Sequence, residues 1–362
     1  MMHIVLSGYY GFDNVGDEAI LFSIVQALKG INPDIKLTVL SNNPETTKAT
    51  YGTDAVNRWK IKDVISAIKS SDGLISGGGS LLQDETGMKS IPYYAGIMKI
   101  GQWLNKPVFV YAQGMGPIKQ GLSKWMVKKT LNKVDLITVR DEDSKALLEK
   151  IGVTKSSQVV PDPVMSIDAQ SFTNEWLKKN DVPSSYIAVS IRDWSTTVDY
   201  KVRIANALDH LVQQGNTIVF VPMHGKLDEI ASYDIVGMMR EASYVAPGDA
   251  SIQEKISLIG QSRLLIGMRL HSLIFSAINH TPFVAISYDP KIDSFSSICE
   301  QPVAGHVGEE NWDSQAIITQ VENIMANEAN HTDLIRGKAE VLQKEAFSTP
   351  QLAVNLFSQS NL

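Results

Sequence analysis

Short apolar runs recur along the chain, separated by longer stretches whose apolar residues return at helical spacing. The runs read as buried strands and the longer stretches as helices packed on one face. In the first half, strands are expected at His3–Ser7, Lys36–Leu40, Gly73–Ser76, Val108–Ala112, Leu136–Val139 and Gln158–Val160. Helices are expected between them at Glu18–Lys29, Val64–Lys69, Tyr93–Leu104, Leu122–Asn132 and Ser144–Ile151. The alternation restarts at Ile187, with strands Ile187–Ile191, Thr217–Val221, Ser243–Val245, Leu264–Gly267 and Phe283–Ile286. Its helices are Lys201–Gln213, Asp228–Arg240, Ile252–Gly260 and Leu273–Ile278, and Gln315 to Phe357 reads as mostly helical.

Alternation of this kind builds doubly wound parallel sheets. The polar stretch 174–186, which carries Pro183, reads as a linker between two of them. The expected organisation is an N-terminal Rossmann-like domain at 1–173, the linker, a C-terminal Rossmann-like domain at 187–335 and a helical tail at 336–362. The fold class is α/β, two Rossmann-like domains whose parallel sheets face a cleft, a GT-B-like arrangement. At 362 residues the chain is too long for one compact core and about right for two.

Composition narrows the function. With 44% hydrophobic and 20% charged residues the chain is an ordinary globular protein. A net charge of −6 and a pI of about 5.7 argue against sequence-independent nucleic-acid binding, which needs a basic face. They leave room for a local basic pocket around a small anion. The one cysteine, Cys299, excludes an internal disulfide, fits a reducing compartment and reads as a packing residue. No Cys/His spacing suits zinc. The stretch from Met1 to Gly8 begins as a strand and not as a signal peptide, and no apolar run of about 20 residues would span a membrane.

The polar and glycine-rich punctuation falls at strand ends, where this architecture binds ligands. After the first strand comes Gly8-Tyr9-Tyr10-Gly11-Phe12-Asp13-Asn14-Val15-Gly16-Asp17-Glu18, which matches neither a dinucleotide fingerprint nor a Walker A loop. Tyr9, Tyr10 and Asn14 suit a sugar, through a stacking face and an amide. Asp17 reads equally as a helix cap. Gly77-Gly78-Gly79-Ser80 lets backbone approach a ligand, with Gln83 and Asp84 following to bond hydroxyls, and Gln113-Gly114-Met115-Gly116 repeats the device. Arg140-Asp141 reads as an ion pair.

In the second half cations arrive instead. Arg192 follows one strand, His224 and Lys226 the next, Arg269-Leu270-His271-Ser272 a third and Lys291 a fourth. Arg192, Arg269 and Lys291 suit a small ligand with two anionic groups, with Ser272 in the same turn, because Arg grips carboxylate or phosphate in bidentate fashion. His271, at a helix start beside Arg269, supplies a proton-transfer group that works near neutral pH. Fixed cations are expected to take the place of a metal. The roles of Arg140, His224 and Lys226 stay open.

Taken in order, Gly-Tyr-Tyr-Gly-Phe-x-Asn-x-Gly-Asp-Glu (8–18), Gly-Gly-Gly-Ser (77–80), Gln-Gly-x-Gly-Pro (113–117), Arg140-Asp141 and Arg-Leu-His-Ser (269–272) resemble the polysaccharide pyruvyl transferase family. The chain looks closest to its CsaB-type members of Gram-positive cell-wall polymer synthesis. The resemblance implies transfer of pyruvate from phosphoenolpyruvate to β-N-acetylmannosamine of a lipid-diphosphate-linked precursor. The product is a 4,6-ketal recognised in S-layer anchoring, phosphate is released, and no cofactor or metal takes part. It also implies a cytoplasmic active site, with peripheral contact at the inner face of the plasma membrane open.

On that reading His271 is the general acid/base, and Arg269 assists it. Arg192, Arg269, Lys291 and Ser272 hold the donor. Tyr9, Tyr10, Asn14, Asp17, Gly78, Ser80 and Gln83 hold the acceptor. Lys119, Lys124, Lys128, Lys129 and Lys133 form a stripe that reads as a solvated helix face or a contact for anionic lipid. Two other functions compete. One is a GT-B glycosyltransferase using a nucleotide sugar; the other is a non-catalytic sugar or anion sensor.

Overall fold

The computed structural model describes residues 1–84, 87 and 89–359. The chain divides into two compact units. Unit 1 is Met1–Ser166 together with the chain from Leu342 onward, and unit 2 is Ile167–Val341.

The sheet of unit 1 contains β1 (His3–Tyr10), β2 (Lys36–Ser41), β3 (Asp54–Asn57), β4 (Gly73–Gly77), β5 (Val108–Gln113), β6 (Leu136–Val139) and β7 (Ser157–Val159). The strands are parallel and lie in the order β3-β2-β1-β4-β5-β6-β7. Helices α1 (Val15–Ile31), α2 (Pro44–Tyr51), α3 (Ile61–Lys69), α4 (Ser90–Trp103), α5 (Gly121–Leu131) and α6 (Glu142–Lys150) make the crossovers. Strands β4 and β5 are buried at every residue, which is why they read as unbroken apolar runs and do not alternate.

Unit 2 repeats the plan. After the short α7 (Trp176–Lys179) come β8 (Ile187–Ser190), α8 (Tyr200–Gln213), β9 (Ile218–Phe220), α9 (Gly225–Val236), β10 (Tyr244–Val245) and α10 (Ile252–Gly260). Then follow β11 (Leu264–Gly267), α11 (Leu270–Ile278), β12 (Phe283–Ser287), α12 (Pro290–Ile298), β13 (Val303–His306) and α13 (Ser314–Ala326). The sheet order is β10-β9-β8-β11-β12-β13, again parallel. In both sheets the direction of winding reverses beside the first strand, between β1 and β4 and between β8 and β11. The crevice at a parallel sheet's ligand edge opens at that point.

Four expectations need correction. First, α2, β3, α12 and β13 stood outside the sequence reading. These strands lie at sheet edges or beside them, where a short half-exposed run leaves little apolar signal, and α2 starts from Asn43 and Pro44 instead of an apolar stripe. Second, the second sheet is completed by β13 and not by β12. Third, 174–186 is no free linker: Asn174 donates to the Glu254 carbonyl (3.1 Å) and Tyr186 to that of Leu258 (2.5 Å), tying it into unit 2. Fourth, the tail is not a separate element. After α14 (Glu328–Ala346), α15 (Ser348–Gln359) packs on α1 and β5 with Phe357 fully buried, so the chain returns to unit 1. Residues 360–362 of that tail lie outside the described residues. Among the described residues, no helix is long and apolar enough to cross a membrane.

Candidate active site

Strand β11 lies between β8 and β12, so Arg192, Arg269 and Lys291 follow three neighbouring strands and reach one sheet edge. Their side chains then part company. Arg269 caps α11 and turns its fork onto Asp228 of α9, with Nε to Oδ2 at 2.9 Å and Nη2 bonded to Oδ1. Asp228 is only 1% exposed, and its Oδ2 also accepts from the Met223 N–H at 3.2 Å. A bidentate pair on a buried carboxylate fixes the guanidinium plane and offsets its charge.

Arg192 is held differently. Its guanidinium carbon sits 4.5 Å from the Tyr288 ring centroid and 5.0 Å from that of Trp194. Lys291 Nζ stands 5.5 Å from the same Tyr288 ring and 2.8 Å from Asp289 Oδ2. Two cations therefore flank one aromatic ring, a stacking arrangement that orients a guanidinium without neutralising it. Among the described residues, Arg192 makes no ion pair.

His271 is the second residue of α11 and half-buried, with Nε2 turned away from solvent. Gly267 allows the strand to approach this turn closely: a Cβ there would lie 2.6 Å from Leu273 and 3.0 Å from Ser272 Oγ. Ser272 was expected on the donor. It is fully buried, and its hydroxyl donates to the Arg269 carbonyl at 2.6 Å, so its side chain serves the helix start. His224 precedes α9 and Lys226 is exposed on its first turn.

Behind Asp228 lies Lys255, 1% exposed, donating to the Gly248 carbonyl at 2.8 Å. Burial pulls its ammonium down to about 8, against the partial restoring pull of Asp228 and three other acids. Below that value the fold must hold a buried charge that unfolding would release to water. Between about pH 8 and its usual 10.5 the unfolded chain binds more protons than the folded one, so stability rises with pH. The rise attributable to Lys255 is about 3 kcal/mol. Denaturant unfolding of the wild type and Lys255→Met across that range should show the slope in the first and its loss in the second.

In unit 1, Tyr9 is exposed and stacks on Phe12, with ring centroids 4.1 Å apart and planes 7° apart. Beneath them is Arg58, 3% exposed, which sequence reasoning missed. It donates to the Gly8 carbonyl (2.7 Å) and to Tyr94 Oη (3.1 Å), and its guanidinium lies 5.1 Å from the Phe12 ring centroid and 4.4 Å from that of Tyr93. Asn14 caps α1, accepting from the Gly16 N–H at 3.3 Å and donating to Asp17 Oδ2 at 2.6 Å. The cap is therefore Asn14, with Asp17 in the first turn, because the helix starts three residues earlier than expected. Ser80 Oγ accepts from Arg140 Nη2 at 3.2 Å, and Arg140 also stands near Asp141 and Asp162. Gln83 is half-buried in the same loop.

One acceptor expectation, Tyr10, fails here. Tyr10 is fully buried and its hydroxyl donates to the Gly77 carbonyl at 2.8 Å, because it lies on the covered side of an extended β1. Gly78 is buried at φ +93°, where a Cβ would meet Ile20 at 2.8 Å. It shapes the turn and offers no side of its own. Asp84 is likewise occupied, accepting from the Lys119 and Gln120 N–H groups. The polar groups at this edge are Tyr9, Asn14, Asp17, Ser80, Gln83 and Arg140, of which Asn14 and Asp17, and Ser80 and Arg140, bond each other.

Sequence signals for the missed residues were thin. Asp228 and Lys255 lie beside Glu229 and Glu254 near helix starts, where charges are ordinary, and Arg58 follows a short edge strand. Tyr288 alone was visible, as an aromatic residue between a strand and Lys291.

Similarity to known proteins bears on the family and the fold. The polysaccharide pyruvyl transferase family model matches residues 14–290, which takes in every strand from β2 to β12 and leaves Tyr9, Tyr10 and Lys291 just outside. The amylovoran biosynthesis protein AmsJ of Erwinia amylovora is 21% identical over 354 residues, covering 80% of this chain and 84% of its own. Among solved structures, Anabaena HepE in complex with UDP and glucose aligns over 99% of this chain and 100% of its own, with TM-score 0.66 and 12% identity. UDP-GlcNAc 2-epimerase from Neisseria meningitidis, bound to UDP-GlcNAc, aligns over the same shares at TM-score 0.63 and 11% identity. Identities this low speak for the fold, which is GT-B-like with two parallel-sheet α/β units. The family match spans most of the chain and contains four of the five motifs whole with the last five residues of the first, and so this chain belongs to the polysaccharide pyruvyl transferase family.

Proposed function

We propose that the protein transfers pyruvate from phosphoenolpyruvate onto a sugar of a lipid-diphosphate-linked cell-wall precursor, as a 4,6-ketal. The observation that carries this reading is Arg192. It is a guanidinium oriented by Tyr288 and Trp194, not neutralised by any described carboxylate, and one strand from His271. Phosphoenolpyruvate has a carboxylate and a phosphate; Arg192 supplies a cation for one, and Lys291, once turned from Asp289, supplies a cation for the other. Arg269, held by Asp228, gives the edge a fixed direction.

In the proposed reaction His271 delivers a proton to the methylene carbon, which becomes a methyl group and leaves an oxocarbenium-like centre at the neighbouring carbon. One sugar hydroxyl adds to that centre and gives its proton back to His271. The second hydroxyl then closes the ring as the carbon–oxygen bond to phosphate breaks, and its proton passes to the departing phosphate. Phosphate leaves with the bonding pair, and the cations stabilise its charge. No oxidant or metal is needed to balance these steps. Tyr9, Asn14, Asp17, Ser80 and Gln83 take the acceptor. β-N-acetylmannosamine is the proposed sugar, and the work is placed at the cytoplasmic face of the membrane.

The test is phosphate release from phosphoenolpyruvate with and without a synthetic lipid-diphosphate disaccharide ending in β-N-acetylmannosamine. Release that depends on the acceptor, with a pyruvyl mass gain on the sugar, is expected. HepE with UDP and glucose keeps a nucleotide-sugar donor as the second reading. Thermal stabilisation by UDP-sugars and none by phosphoenolpyruvate would favour it.

A further inference from the structure

Three consecutive helices of unit 1 share one face of its sheet. The connections β3→β4, β4→β5 and β5→β6 step across the sheet in one direction, whereas β1→β2 and β2→β3 step in the other. Right-handed crossovers therefore put α3, α4 and α5 on one side and α1 and α2 on the opposite side. Direct contacts agree: α3 touches α4 and α4 touches α5. Lys99 Nζ donates to the Lys129 carbonyl at 3.1 Å, and Gln102 to that of Thr130 at 3.0 Å.

The outer surface of this layer combines two features that folding does not require. Trp103, Leu122 and Trp125 are exposed by 78%, 68% and 57%, and Ile61 and Ile65 are exposed on α3. Around them are cations. Lys124, Lys128 and Lys129 lie on the open side of α5, with Lys133 just beyond it. Lys99 and Lys133 line, with Trp103, a cavity of about 540 Å³ at the end of α4. Burial and the neighbouring Lys133 and Lys129 ammoniums hold Lys99 below the usual lysine range. Lys60, Lys62 and Lys69 flank the isoleucines of α3. Among the described residues none of these lysines is in an ion pair. Asp63 stands among the lysines of α3 and Asp135 lines the cavity, and Glu142, Asp143 and Glu149 of α6, on the same side of the sheet, mark the limit of the patch. In a chain of net charge −6, so many unpaired cations on one face need a reason.

We propose that the α3–α4–α5 face of unit 1 docks on an anionic lipid bilayer. Indole rings settle at the headgroup level, a leucine enters below it, and lysines reach anionic headgroups while their stems cover apolar surface. Charge complementarity selects a lipid surface over a second copy of the chain, since two copies would set lysine against lysine. The inference adds to the lipid-linked acceptor reading the surface from which such an acceptor arrives. To that extent it rests on that reading, but its test does not.

The test is co-sedimentation of the full chain with vesicles that contain no sugar acceptor. Binding is expected to mixed phosphatidylglycerol–phosphatidylcholine vesicles, to weaken with salt, and to be absent with phosphatidylcholine alone. Lys124→Glu, Lys129→Glu and Lys133→Glu together should lower binding at least about 100-fold. Trp125→Ala, which leaves charge untouched, should lower it about 10-fold. Both variants should release phosphate with a water-soluble acceptor as the wild type does. Equal binding to the two vesicle types, no binding to either, or variants that bind like the wild type would overturn the proposal. So would a concentration-dependent mass without vesicles that Trp125→Ala abolishes, which would make the face a protein interface. Failed docking with intact phosphate release would sink this inference and leave the reaction standing.

Discussion

His271→Ala is expected to lower turnover by about 10²- to 10⁴-fold while phosphoenolpyruvate still binds. The histidine sits in the first turn of α11, where the strand end, the Arg269 cap and the helix start converge. A proton must reach the methylene carbon before the neighbouring carbon can accept a hydroxyl. No other imidazole belongs to that turn, and Arg269 cannot give up a proton near neutral pH. The replacement removes a half-buried side chain from a helix start, so thermal unfolding is measured beside activity to show that the variant is folded. Phosphate release and donor binding measured on the same preparation separate the two effects. A fully active variant would take His271 out of the mechanism, and a folded variant that no longer binds the donor would make it a binding residue.

Arg269→Ala is expected to do two kinds of damage. Asp228 is buried and accepts both arms of the Arg269 fork, so deleting the arginine strands a carboxylate away from water. Breaking a buried pair from one side costs about 3–5 kcal/mol. Removing both charges, with Arg269→Ala and Asp228→Ala combined, should cost less than the two single losses added together, because neither charge is left alone. Denaturant unfolding of the two single variants and the double gives that comparison directly. On the folded fraction, KM for phosphoenolpyruvate should also rise, since the edge loses its fixed cation. An unchanged KM with lowered stability would leave Arg269 as a structural residue and pass donor binding to Arg192 and Lys291.

The contrast between these arginines shows what reading residues in order can reach. Both were visible as cations after buried strands, and the parallel architecture brings them to one edge. Their difference was not visible. Arg269 is committed by an aspartate 41 positions earlier, in the first turn of a helix beside Glu229, where an acid reads as a solvated or dipole-pairing charge. Arg192 is left open because Trp194 and Tyr288 give it ring faces and no carboxylate.

Other cases divide the same way. Strand and helix order, the restart at Ile187 and the polar strand ends follow from local apolar periodicity, which a central parallel strand expresses strongly because both faces are covered. Edge strands such as β3 and β13 have one poorly covered side and left little to read. Tyr9 and Tyr10 are adjacent and alike in chemistry, yet alternate residues of a strand point to opposite faces, so one is exposed and the other is sealed on Gly77. Ser272 lost its hydroxyl to the helix start, Asp17 lost the cap to Asn14, and the tail closed on unit 1 because Phe357 found a buried place there. The order of residues thus set the architecture and the family, both of which depend on neighbours along the chain. Which side chains on a sheet edge remain available was settled by partners distant in sequence, because burial and pairing are properties of the packed fold.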